Sequence, residues 1–285
     1  MRKWYKYFLD NTKKGIIHKK VDESYEEHAL AIGGYNPDES YTSKESFLNK
    51  YYFGKKDSRH EYYNDFLTKN LKESDKILSI GSGRCINELL LINQGFHIVC
   101  SDLGEFPAIN ETKKIFPGFE YIKLNILKTP VYGEFGSIIC LSLVFLFNND
   151  EIDLFFKNVS DSLKNGGTFI LDSAGAPDNF SSFFIYEILA KYEAYVIRFL
   201  KSLAKETAPA LIIKHQGYLR SDKDIISAAS KYGLALKIRK DYGFNEFRRS
   251  YTLSKLVKED SILERAFIAW GKTFPYARMF QFVKC

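Results

Sequence analysis

The order of apolar runs and amphipathic stretches predicts a doubly wound α/β fold built on a mostly parallel sheet. Short runs that are apolar almost throughout recur from Lys76 onward: KILSI (76–80), HIVCSD (97–102), YIKLNIL (121–127), SIICLSLVFLF (137–147) and TFILDSA (168–174). Helix-like stretches separate several of them, notably INELLLINQG and DEIDLFFKNVSDSLKNGG. A Gly-Ser-Gly turn at 81–83 joins the first run to the first of these helices. Strands covered on both faces read as continuous apolar runs rather than alternating ones, and helical crossovers provide that cover. Right-handed crossovers then give the doubly wound arrangement.

Residues 1–72 precede this alternation and are polar, aromatic-rich and punctuated by GGYNPDES at 33–40. SRHEYYNDFLTKNL (58–71) has helical spacing, with Tyr62, Phe66 and Leu71 near one face, so the segment is expected to be an N-terminal helical cap. The remainder, 73–285, is expected to form one domain. Within it, 176–220 interrupts the alternation as a helical insertion or lid after the fifth strand. Phe184, Ile188, Tyr192, Tyr195 and Phe199 recur every three or four residues there, which predicts packing against the core beneath the lid. SDKDIISAASKYG (221–233) reads as a helix capped by Ser221 or Asp222. Strands follow at 235–243 and 278–284.

An apolar fraction of 45% suffices for a sizeable core. The 41 Lys and Arg against 35 Asp and Glu leave a net charge of +6, a mild excess that a solvated surface explains. The four cysteines, Cys85, Cys100, Cys140 and Cys285, form no CxxC pair, and the spacing offers no zinc knuckle. Cys100 and Cys140 lie in apolar runs, as buried free thiols do in a reducing compartment. MRKWYKYFLDNTKK lacks the apolar centre of a signal peptide. The longest uncharged run, 135–149, falls short of the ~20 residues of a membrane span. A soluble, cytoplasmic protein is expected.

In an open parallel sheet, ligands bind beyond the carboxyl ends of the strands at the switch point. Gly81 and Gly83 allow a tight turn and a close backbone approach there, at the start of a helix with unpaired N–H groups. Asp102 ends the second strand 21 residues later, where an acid accepts hydrogen bonds from ribose hydroxyls. Ile86 stands where a dinucleotide fingerprint requires a third glycine, and no GK[ST] follows to make a phosphate loop. The combination suits an adenosine that carries no phosphate.

ILSIGSGRCINELLLINQGFHIVCSD resembles the first two motifs of the class I S-adenosylmethionine (SAM)-dependent methyltransferases. FGSIICLSLVFLFNNDEIDLFFKNVSDSLKNGGTFILDS is similar to that family's fourth strand, following helix and L-K-x-G-G turn before the fifth strand. The likeness covers roughly 74–174, with the final strand pair matching more loosely. It implies a seven-stranded sheet with an antiparallel last strand, SAM as cofactor and S-adenosylhomocysteine as product. It further implies that Gly81, Ser82 and Gly83 meet the methionine moiety and Asp102 the ribose. Leu103 would flank the adenine, Asn125 and Ile126 would lie near its ring, and Leu141 and Ser142 would line the floor beneath the methionine. Four positions depart from the family pattern: Ser79 for an acid, Cys85 for a glycine, Asn125 for an aspartate and Gly136 for an aspartate.

Methyl transfer from a sulfonium is an in-line displacement that, for a hydroxyl acceptor, also needs a base. Of the five histidines, His97 starts a strand remote from the carboxyl ends, and His18, His28 and His60 lie in the N-terminal segment. His215 follows the inserted helices and is the candidate base, accompanied by Tyr218 and Arg220 as acceptor contacts. Glu246 and Arg248, with Arg249 beside them, form a charged pair that suits an anionic acceptor group. No NPPY-type or Pro-Cys motif follows the fourth strand and the lysines are scattered, which disfavours nucleic acid. The expected acceptor is a hydroxyl of a small molecule or glycan. A nucleic-acid or protein methyltransferase and a catalytically silent SAM-binding scaffold are the alternatives. No sequence-local metal cluster is visible, so no metal is assigned.

Overall fold

The computed structural model describes residues 2–19, 43–48, 58–105, 109–132, 135–204, 208–242, 257–258, 260–274 and 277–285. In chain order the strands are β1 (Arg2–Asp10), β2 (Ile16–Lys19), β3 (Lys76–Ile80), β4 (His97–Asp102), β5 (Glu120–Lys123), β6 (Phe135–Cys140), β7 (Leu163–Ala174), β8 (Ala210–Leu219), β9 (Leu234–Tyr242) and β10 (Ala277–Lys284). The principal helices are α1 (Ser58–Asn70), α2 (Ile86–Asn93), α3 (Ile109–Ile115), α4 (Asn149–Ser162), α5 (Ala190–Ala204), α6 (Asp222–Ser230) and α7 (Ile262–Thr273).

Seven strands make the central sheet in the order β5-β4-β3-β6-β7-β10-β9. The first five are parallel, and β10 runs antiparallel between β7 and β9. Chain order reverses between β3 and β6, so the switch point falls at their carboxyl ends. This is the fold class the sequence predicts.

Because successive strand residues point to opposite faces, the runs split their side chains between two cores. Ile77, Ile98, Ile139 and Ile170 pack with Tyr63, Phe66 and Leu67 of α1 and with Leu89 and Leu91 of α2. Leu78, Val99, Ile138 and Phe169 pack on the other face with Phe155, Phe156 and Val159 of α4 and with Ile225 of α6. On that second face Phe155, Phe156, Phe169 and Phe282 meet ring on ring at centroid distances of 5.5–6.3 Å. Each such buried ring contributes about 2 kcal/mol by area alone.

Helix starts follow local chemistry. Asn148 caps α4 and Glu151 reaches back to the Asn148 N–H; Ser221 and Asp224 do the same for α6. The L-K-x-G-G turn is a loop-out inside β7. Phe135 pairs with Leu163 and Ser137 with Thr168, so residues 164–167 bulge from the register. Gly166 has φ +71°, and a Cβ on Gly167 would lie 2.7 Å from the Lys164 carbonyl oxygen.

Several expectations need correction. The N-terminal segment is not wholly helical: β1 and β2 flank β8 in a separate three-stranded sheet, with β1 antiparallel and β2 parallel to β8. The alternation of RKWYKYFLD fits a strand better than a helix once a partner exists, and that partner lies about 200 residues away. The insertion is likewise helical only to Ala204, after which β8 supplies the partner. The fourth run stops at Cys140. Ser142 turns at φ +56°, and Val144–Leu146 form a 3₁₀ turn whose apolar side chains had suggested more strand. The third run ends at Lys123, since a turn begins at Asn125. The stripe on α5 faces outward: Tyr192, Phe199 and Leu203 are more than half exposed.

Candidate cofactor and acceptor site

The glycine turn follows β3 at the switch point. Gly81 (φ +69°) and Gly83 (φ +53°) both have left-handed backbones, and a Cβ on Gly81 would stand 2.8 Å from the Leu143 side chain. Cys85, where the family pattern favours glycine, also lies in the left-handed region at φ 58° as the N-cap of α2. Strand β4 fixes the turn from below. Ser82 N–H donates to the Ser101 carbonyl at 2.9 Å, Ser101 N–H donates to Ser82 Oγ at 2.9 Å, and the hydroxyls of Ser82 and Ser101 both donate to the Ser79 carbonyl.

Asp102 closes this loop. Its Oδ2 accepts from Gly83 N–H at 2.9 Å and its Oδ1 from Leu103 N–H at 2.7 Å. The carboxylate is therefore aimed by two backbone amides at the mouth of the turn, and Leu103 beside it is about half exposed. Asn125 accepts from Leu127 N–H at 3.1 Å and shapes the next turn. Ile126 is buried, and its carbonyl accepts from Asn158 Nδ2 at 2.6 Å. Leu141 is buried, whereas Ser142 is exposed. The structure thus gathers Gly81, Ser82, Gly83, Asp102, Leu103, Leu141 and Ser142 around the carboxyl ends of β3, β4 and β6.

Two buried carboxylates complete the neighbourhood, and both escaped the reading of the sequence. Asp172, near the end of β7, is 3% exposed. It accepts from Ser142 N–H and from the Tyr63 hydroxyl, and Tyr242 OH lies 2.8 Å from Tyr63 OH. Tyr63 comes from α1 and Tyr242 from the end of β9, so the network ties the cap helix across the sheet. Burial pushes the Asp172 carboxyl up despite these donors and pushes both phenols well above their ordinary range. Glu88, on α2, is 2% exposed and accepts from Ser79 Oγ at 2.6 Å. Burial raises its carboxyl to about 7. The available signal was a lone acid within an apolar stretch, as in TFILDSA and INELLL.

The second sheet packs over the 3₁₀ turn that follows β6. A Cβ on Gly217 would lie 2.2 Å from the Phe145 carbonyl oxygen, and Trp4 of β1 meets Phe145 edge-on at 5.4 Å. His215 is half-buried between Tyr5 (5.3 Å) and Tyr218 (5.0 Å), with Nε2 3.0 Å from the Gly217 carbonyl oxygen. Arg220 is 3% exposed and donates to the carbonyls of Val144, Phe147 and Asn148. Its guanidinium thereby holds the 3₁₀ turn and the start of α4. His97 pairs with Glu120 at an exposed edge, and His60 Nδ1 lies 2.8 Å from Asn87 Oδ1. His28, Glu246, Arg248 and Arg249 lie outside the described residues. Among the described residues no group of three or more His, Cys, Asp or Glu could hold a metal, and no helix is long and apolar enough to cross a membrane.

No family model matches the chain, and no curated protein matches it. Solved structures do. A 1,6-didemethyltoxoflavin-N1-methyltransferase from Burkholderia thailandensis, with its substrate and S-adenosylhomocysteine bound, is 9% identical over 93% of this chain and 90% of that one, at a TM-score of 0.55. A geranyl diphosphate C-methyltransferase from Streptomyces coelicolor, in complex with Mg2+, geranyl diphosphate and S-adenosyl-L-homocysteine, is 14% identical over 88% of each chain at 0.51. A magnesium protoporphyrin IX methyltransferase from Synechocystis PCC 6803, with S-adenosylhomocysteine bound, is 12% identical over 93% and 96% at 0.50. With the strand order and the antiparallel β10, these likenesses establish that the chain has the class I methyltransferase fold.

Proposed function

We propose that this protein is a SAM-dependent methyltransferase acting on a small-molecule or glycan acceptor. The observation that carries the reading is the pair formed by the left-handed glycine turn and Asp102 at the switch point, the carboxylate being aimed by the amides of Gly83 and Leu103. A nucleoside ribose suits such an acceptor pair, and the side-chain-free turn admits the chain attached to its 5′ carbon. The residues fit the cofactor, and S-adenosylhomocysteine occupies the similar proteins named above. When bound, SAM supplies an electrophilic methyl group on a sulfonium.

The protein's own contribution is placement and the exclusion of water. Strand β1 with β8, and α1 anchored through Tyr63, lie over the carboxyl ends of β6 and β7. Those are the ends beside which the acceptor would sit. A hydroxyl acceptor is our finer proposal. His215 would take the proton: with Nε2–H donated to the Gly217 carbonyl, Nδ1 is the basic nitrogen of the ring. Tyr218 flanks that ring, and Glu246 with Arg248 remains a proposed grip for an anionic acceptor. The bound acceptors of the similar proteins are small molecules, methylated on nitrogen in one and carbon in another, so their shared chemistry is the donor rather than the acceptor atom.

Titration calorimetry with S-adenosylhomocysteine tests the cofactor half. Wild-type protein should bind, and Asp102→Ala should bind at least tenfold more weakly, since a charge-assisted bond is worth about 1.5–3 kcal/mol. Equal affinities would overturn the assignment. Mass spectrometry of a small-molecule panel incubated with SAM tests the acceptor half: products gaining one CH2 on oxygen support it. A product on RNA or protein alone would replace it.

A further inference from the structure

Glu88 is an oddity that the fold does not explain. It sits in the first turn of α2 with its carboxylate turned inward beneath the glycine turn, where only 2% of the residue is exposed. One oxygen is satisfied: Oε1 accepts from Ser79 Oγ at 2.6 Å. The other, Oε2, is buried with no hydrogen-bond partner. A buried polar atom left in this way is destabilising, more so when charged, and an apolar side chain would avoid the cost. The backbone N–H groups of Asn87 and of Glu88 itself favour the charged form, yet none of the groups facing it from neighbouring elements bonds Oε2. Asp102 and Cys100 approach from β4, Cys85 from the turn and Ser79 from β3, while His60 of α1 is engaged with Asn87. None of the charged groups among them is cationic toward Glu88.

The position is informative. The Ser79 carbonyl receives the hydroxyls of Ser82 at 3.1 Å and Ser101 at 2.7 Å, so a single residue links the Glu88 carboxylate to the glycine turn and to the strand that ends in Asp102.

We propose that Glu88 supplies from the helix the buried carboxylate of the cofactor site, and that Oε2 is completed by the ammonium of the cofactor's amino-acid end. The inference rests on the reading of the turn as a SAM site. An ammonium is the one cationic hydrogen-bond donor common to SAM and S-adenosylhomocysteine, and the turn above Glu88 is where the amino-acid end would lie. The carboxyl's elevation to about 7 agrees with this, because an isolated buried carboxylate is half neutralised by protons until a cation arrives. Arrival of the ammonium should then expel that proton, which makes cofactor binding tighten as pH rises through neutrality.

Calorimetry at pH 7 in two buffers of different ionisation enthalpy reads the expelled proton directly, with no turnover required. Wild-type protein titrated with S-adenosylhomocysteine should release about half a proton per site, and 5′-methylthioadenosine, which lacks the amino acid, should bind without release. Glu88→Gln, which copies the neutral carboxyl in shape, should bind S-adenosylhomocysteine without release and about tenfold more weakly than wild type at pH 8. Proton release that persists in Glu88→Gln, or that 5′-methylthioadenosine reproduces, overturns the inference. So does binding of S-adenosylhomocysteine to wild-type protein with no proton exchanged. Failure of both nucleosides to bind wild-type protein would instead overturn the cofactor assignment itself. The wild-type comparison of the two ligands stands even if the variant does not fold.

Discussion

Asp172 and Glu88 are both buried carboxylates beside the carboxyl ends of the central strands, yet they are built differently. Asp172 has both oxygens engaged by donors from elsewhere in the chain: Ser142 N–H on one, the Tyr63 hydroxyl on the other, with Tyr242 behind it. Glu88 has one engaged oxygen and one orphan. A fully satisfied buried network rigidifies a fold, whereas a half-satisfied one destabilises it unless something else arrives. The difference separates a carboxylate that holds the molecule together from one that waits for a ligand. Variants at the two sites should therefore fail in different ways.

The largest effect is expected at the satisfied site. Asp172→Ala strands two donors, the buried Tyr63 hydroxyl and the part-buried Ser142 amide, and unlocks α1 from β7. Removing one partner of such a network costs about 3–5 kcal/mol. Thermal unfolding should show it as a fall in Tm of about 6–20 degrees by the size scaling, roughly 2–4 degrees per kcal/mol, or as outright loss of folding. A loss under about 1 kcal/mol would mean that the network adds nothing to stability.

The second effect is pH dependence. Glu88 is raised to about 7 in the folded protein from an ordinary 4.5, so between those values the folded state binds more protons than the unfolded state. Stability of the ligand-free protein should fall as pH rises through this window, by up to about 3 kcal/mol, because a unit of pKa shift corresponds to 1.36 kcal/mol. Asp172 is shifted in the same direction and adds to the slope. In Glu88→Gln the slope from pH 5 to 8, read by chemical denaturation, should shrink. An unchanged slope would remove Glu88 from the account.

This contrast also shows what the sequence could reveal. The central sheet was legible because continuous apolar runs and amphipathic helices are local patterns, and because Gly81, Gly83 and Asp102 mark the switch point by spacing alone. The three-stranded sheet was not, since RKWYKYFLD becomes a strand only through β8, some 200 residues on. Neither carboxylate network could be read, because hydrogen-bond satisfaction belongs to three-dimensional neighbours. Two departures from the family pattern make the point. Ser79 lacks the acid, but Glu88 brings a carboxylate to its hydroxyl from nine residues away. Gly136 lacks the aspartate, but the Asp75 carboxyl lies 2.6 Å from where its Cβ would be and accepts from Ser137 Oγ at 2.7 Å. A sequence scan records two losses where the fold brings in two carboxyls from other positions.

A third test asks whether the turn above Glu88 is as sterically committed as it looks. Gly81→Ala forces a Cβ onto a left-handed residue and against Leu143, 2.8 Å away. The expected cost is about 1–2 kcal/mol of stability, because the Leu143 side chain can shift but the backbone conformation is disfavoured for alanine. Cofactor affinity should suffer more than stability does, since the added methyl occupies the approach to the turn. A variant that binds S-adenosylhomocysteine like wild type would place the amino-acid end elsewhere, away from Glu88.

The smallest effects come from trimming one hydroxyl at each site, and they distinguish the two most sharply. Tyr242→Phe removes a phenol that reaches Tyr63 at 2.8 Å and Asp172 only at 3.5 Å. Asp172 keeps its two nearer donors, so about 1 kcal/mol should be lost, with little change of that loss across pH. Ser79→Ala removes the donor that holds Glu88 Oε1 and opposes the effect of burial on the carboxyl. At pH 5 Glu88 is already neutral and the variant should be nearly as stable as wild type. At pH 8 the carboxylate loses its donor, and the deficit should grow to about 1 kcal/mol or more. Denaturation of both variants at the two pH values decides the matter: a pH-independent deficit at Ser79 would make Glu88 a second structural acid like Asp172, and not a group held open for a cation.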